Sequence, residues 1–189
     1  MKHITRLLVT ALFAALPLLG LAEETNALPP TLFEVFESVT GRVIIKGTEE
    51  IGSFTAKSGI ITVKCHELRD VASNQRQFGL TVIVRQNEQV EDATIIDDDE
   101  LDSLVHSIDY ISKADPSLSS FSHFEAAYST KAGFRVASYS SRRTGTVEAA
   151  LTSNRLIRSK CWLNLAQLAQ FKGLLEQAQT KLDSIRKKR

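Results

Sequence analysis

Two periodicities alternate along this chain, and their order leaves few folds open. Phe78, Leu80, Val82 and Val84 are spaced two apart among Gln77, Gly79, Thr81, Ile83 and Arg85, the pattern of a strand with one buried face. From Leu101 the spacing changes. Leu101, Leu104, Val105, Ile108 and Ile111 recur at steps of three and four, which predicts an amphipathic helix of about 15 residues. Asp97 before it, with Glu100 three residues on, predicts a capping box at its start. The second half repeats the change. Phe124, Ala126 and Tyr128 alternate, then Phe134, Val136 and Ser138, then Val147, Ala149 and Leu151. Asn164 with Gln167 caps a longer stripe of Leu165, Leu168, Phe171, Leu175, Ala178, Leu182 and Ile185.

Earlier in the chain, residues 42–46 and 60–65 read as strands. Ile61, Val63 and Cys65 face the core, with Thr62, Lys64 and His66 opposite. Leu32, Phe33, Val35 and Phe36 form a compact apolar group, a first strand or a short helix. The expected order is β-β-β-α-β-β-β-α, an α+β fold in which an antiparallel β-sheet is covered on one face by two amphipathic helices. Strands buried on both faces would be continuously apolar, and these are not. A shift of 67 positions lays Leu101 on Leu168, Leu104 on Phe171 and Leu80 on Val147, a register compatible with internal duplication.

Lys2 and Arg6, without an acid nearby, precede an uncharged run over residues 7–21, and Gly20 and Ala22 occupy the −3 and −1 positions of a small-residue cleavage site. The expectation is a signal peptide over 1–22, a disordered leader over 23–30 and a single α+β domain over 31–189, in the periplasm or secreted. The apolar run is short of the roughly 20 residues a spanning helix needs, and no second run of that length follows. Removing Lys2 and Arg6 turns 23 basic residues into 21 against 22 acidic ones, a net charge of −1. That balance disfavours nucleic acid as partner. Cys65 and Cys161 are the only cysteines. In an oxidising compartment they are expected to form a disulfide, a cross-link worth about 4 kcal/mol in the chain-entropy view.

Motifs for chemistry are sparse. There is no Gly-x-Ser-x-Gly elbow, no HExxH, no close Cys/His cluster and no phosphate-binding glycine loop. His66, His106 and His123 are the histidines beyond the leader. His123 at the head of a strand is the one from which a small secreted hydrolase would be built, with a nearby acid and hydroxyl. His106 reads as a boundary residue between the apolar stripe and solvent. The acids from Asp97 to Asp102 lack the spacing and the glycine turn of a calcium loop and suit a helix start. Glu125 and Glu148 fall on the solvent phase of their strands. No cofactor and no metal is expected. The contact surface nominated by the sequence is Arg135, Tyr139, Arg142 and Arg143, an aromatic among arginines at a hairpin. The chain therefore reads as an exported, non-enzymatic binding or interaction domain. Its partner would be an unidentified protein, acidic in this reading, or an anionic polymer. A structural or oligomer-forming envelope protein, including a homodimer closed through an unpaired sheet edge, is the alternative.

Overall fold

The computed structural model describes residues 28–86, 90–121, 123–141, 146–153 and 159–188. The expected signal peptide, all but the last residues of the leader, Arg142 and Arg143, and most of the 153–160 connection lie outside them.

The first element among the described residues is α1 (Leu32–Glu37), so the early apolar group is a helix. Thr31 and Glu34 form its capping box, and the carboxylate of Asp97 accepts from the Leu32 and Phe33 amides at 2.7 and 3.0 Å. Asp97 was expected to cap the helix that follows it in sequence. It makes no side-chain cap there and serves α1 instead. A carboxylate on the first free N–H groups of a helix satisfies orphan donors and meets the positive end of the dipole.

Four strands follow: β1 (Ile44–Ala56), β2 (Gly59–Asp70), β3 (Arg76–Gln86) and β4 (Val90–Asp97). They form an antiparallel sheet in the order β1-β2-β3-β4. A single-turn helix over Asp98–Glu100 leads into α2 (Leu101–Ser112), whose buried residues are Leu101, Leu104, Ile108 and Ile111. The second half supplies β5 (His123–Ser129), β6 (Arg135–Ser141), β7 (Val147–Thr152) and β8 (Lys160–Leu163), again antiparallel and in sequence order. The chain then enters α3 (Leu165–Lys187), with the expected Asn164–Gln167 capping box.

The fold class is the mixed α+β one expected, built from two four-stranded sheets, a choice the sequence left open; among the described residues there are eight strands where six were expected. β4 and β8 are the additions. They keep the repeat intact, since the 67-residue shift carries residues 93–96 of β4 onto β8. A single apolar cluster joins one phase of each sheet to both long helices. Ile61, Val63, Leu80, Val82 and Val84 enter it from the first sheet, Val136, Ala149 and Leu151 from the second, and Leu104, Ile108, Phe171 and Leu175 from the helices. Phe134 and Phe171 meet in it as a tilted ring pair at 5.9 Å. Each fully buried side chain of this size stabilises the fold by about 1.5–3 kcal/mol.

The expected disulfide is absent: Cys65 and Cys161 are both free and buried. The Cys65 thiol points at the Ala178 carbonyl of α3, 3.6 Å away, whereas the Cys161 sulfur accepts from the Ser58 hydroxyl at 3.8 Å. The two belong to different sheets and meet different elements, so neither Cβ is presented to the other. Burial pushes the Cys65 thiol up to about 12 and raises Cys161 as well.

Candidate functional site

Sheet edges separate the places where this fold is closed from the place where it is open. An edge strand presents unpaired N–H and C=O groups, and proteins manage such edges with charges, bulges or covering segments. The free side of β8 is covered. Trp162 N–H donates to Ser58 Oγ at 2.9 Å, the Trp162 carbonyl accepts from the Lys57 amide at 3.1 Å, and the Gln86 side chain donates to the Lys160 carbonyl. β1 is interrupted by a bulge between Glu50 and Gly52 and carries Lys46, Glu49 and Glu50. β4 carries Glu91, Asp92 and Asp97, and Asp92 accepts from Ser153 Oγ at 2.8 Å.

β5 carries a single carboxylate, Glu125, and among the described residues it has neither a bulge nor a covering segment. It pairs with β6 on one side, and among the described residues no other hydrogen bond reaches its main chain. Its exposure alternates along its length, and none of its seven residues is buried. Along this edge runs a groove of about 720 Å³. Its walls are His106, Tyr110 and Ile111 of α2, Leu118 of the connection, and Phe124, Ala126 and Tyr128 of β5. Two large side chains of its walls stand exposed, Tyr110 at 65% and Leu118 at 54%. Glu125 is the one acid in the lining, and Arg135 neutralises it at 2.9 Å. That hydrogen bond holds the Glu125 carboxyl below the usual range. The groove thus offers apolar surface and bare main chain with its one acid already paired.

The nominated cationic surface is arranged differently. Arg135 and Tyr139 share the face of β6 opposite Val136, as expected from phase, while Arg142 and Arg143 lie outside the described residues. Arg135 is engaged by Glu125, and Lys57 by Glu148 at 2.7 Å. Lys160 sits 4.4 and 4.3 Å from the ring centres of Tyr139 and Trp162, and its amine lies 3.2 Å from the Tyr139 hydroxyl. No carboxylate pairs with Lys160 among the described residues.

His123 is exposed, and among the described residues it hydrogen-bonds neither an acid nor a hydroxyl. His106 stands exposed on the groove wall. The acids ahead of α2 each have a structural task. Asp98 pairs with Arg186, Asp99 with Lys131 at 2.9 Å, and Glu100 accepts from the Lys131 amide at 2.8 Å. Among the described residues no three metal-ligating side chains are gathered.

His66 was placed on the solvent phase of its strand, yet it is buried. Phe33 of α1 lies over it at 5.7 Å, and its ring nitrogens share hydrogen bonds with Thr48 Oγ1 and Thr81 Oγ1 at 2.9 and 2.8 Å. Burial, and then Lys46, pulls its pKa down to about 4. A neutral imidazole with both nitrogens engaged and no access serves to lock α1 onto three strands. The groove was not anticipated from sequence. Its trace there was Leu118, a large apolar side chain in a serine-rich connection. Compared with known proteins, the chain matches no family model, no curated protein and no solved structure.

Proposed function

We propose that this chain is an exported, non-enzymatic interaction domain that takes an uncharged, extended segment along β5. The observation that carries the reading is the uncovered, unbulged edge of β5 beside an apolar groove, in a fold whose other edges are covered, bulged or more densely charged. Main-chain hydrogen bonds to an edge strand supply affinity without regard to sequence, and alternate side chains of the added strand fill the neighbouring groove. Export rests on the charge and apolar pattern of residues 1–22. Among the described residues no helix is long and apolar enough to cross a membrane.

A second reading is supported by Lys160, whose amine lies over the rings of Tyr139 and Trp162 and, among the described residues, in no salt bridge. In it, an acidic protein or anionic polymer binds the outer face of the second sheet. The two readings separate on photo-crosslinking in cells expressing the full chain. A photoreactive side chain at Leu118 forms adducts in the first reading, whereas the same group at Thr180, on the exposed side of α3, does not. Adducts from a probe at Trp162 and none from Leu118 would decide for the outer face.

A further inference from the structure

Resting on the β5 reading, we propose that the segment taken by the edge is β5 of a second copy, paired antiparallel about Ala126. The order and charge of the seven residues carry this. Pairing must keep the groove faces of both copies on one side of the joined sheet, so only registers that oppose residues of like phase are open. Centred on Ala126, the strand opposes itself without remainder. His123 faces Ser129, Phe124 faces Tyr128, and Glu125 faces Ala127, each pair occurring twice. The two alanines on the axis let the main chains approach, and the aromatic pairs flank them on the groove side, the kind of cross-strand contact that stabilises sheets. Neighbouring registers are worse. Centring on Glu125 leaves Tyr128 and Ser129 beyond the partner's strand, and centring on Ala127 leaves His123 unpaired and sets Phe124 against Thr130, beyond the strand's end.

Charge and surface agree with this occupant. Glu125 brings no net charge to the seam because Arg135 of its own chain already pairs with it. Pairing at β5 places each groove beside its twin, so Tyr110 and Leu118 of both copies leave solvent together. The two four-stranded sheets become one of eight strands, joined at the edges that the monomer leaves bare.

The test uses protein recovered from cells expressing the full chain. Ala126→Cys is expected to give a covalent dimer under mild oxidation, since directly opposed residues have Cα atoms about 4.5–5.5 Å apart, within disulfide reach. Ser129→Cys is the control, as its own twin lies six residues along the joined strand, about 20 Å away. The natural thiols are buried and do not compete. Ala126→Lys alone and Ala126→Glu alone are expected to weaken self-association roughly tenfold or more. Mixing the two should restore a dimer, which a folding defect would not do. A chain that sediments as a monomer at high concentration, with no excess cross-linking of Ala126→Cys over Ser129→Cys, overturns the inference. If Leu118 then still cross-links to another polypeptide, the interaction reading stands and only its occupant is wrong. If it labels nothing, both fall.

Discussion

Acidification should weaken this fold through one side chain, His66. In the unfolded chain its imidazole titrates near the ordinary 6.5. In the fold, burial beneath Phe33 and the nearby Lys46 bring it to about 4. The unfolded state therefore binds a proton over a range where the folded state does not. The stabilisation is present above pH 6.5 and is lost as pH falls towards 4. A difference of 2.5 units at 1.36 kcal/mol each is about 3 kcal/mol in all, of which about 2 has gone by pH 5. The comparison to make is urea unfolding of the natural chain and of His66→Gln at pH 7 and pH 5. Gln keeps a donor and an acceptor between Thr48 and Thr81 but does not titrate. Carboxylates such as Asp98 and Glu100, which burial shifts upward, contribute equally to both proteins and cancel. The natural chain should lose about 2 kcal/mol more than the variant between the two pH values. Equal losses, or an imidazole that titrates near 6.5 by NMR, would refute the buried, neutral His66.

Two further outcomes follow from the same packing. Asp97→Ala removes the carboxylate that holds the first turn of α1 and should cost about 2–3 kcal/mol in denaturant unfolding. It should also move the His66 pKa up towards 6.5, because Phe33 no longer shields the ring. Cys65 and Cys161 should both be silent towards a thiol reagent at pH 8 in the native chain and should both react in denaturant. No reactive thiol on unfolding would restore the disulfide.

What could be read in the sequence was whatever a segment's own residues encode. The alternation of Phe78 to Val84, and the three-and-four spacing of Leu101 to Ile111 and of Leu168 to Leu182, each fixed an element and its buried face before any tertiary contact was considered. β4 escaped because Glu91 and Asp92, the charges that guard its edge, make it resemble a polar connection. β8 escaped because four residues are too few to display a period. Asp97 and His66 were misjudged for a shared reason. Their partners, the amides and the phenyl ring of α1, lie far away in sequence. The groove was hidden more deeply still. Nothing in His123 to Ser129 distinguishes a strand with one neighbour from a strand with two; that follows from how the sheet is ordered. From the sequence an unpaired edge could be named as an alternative, but which strand would leave it open could not be read.

The most direct measurement is hydrogen exchange along β5, made on the chain in its native assembly and again on the diluted chain. The amides of residues 124–128 that point away from β6 should exchange about tenfold or more slowly in the assembly. The Trp162 amide, bonded to Ser58 in either state, should not change. Unchanged β5 amides, with protection gained instead around Tyr139 and Trp162, would contradict the account.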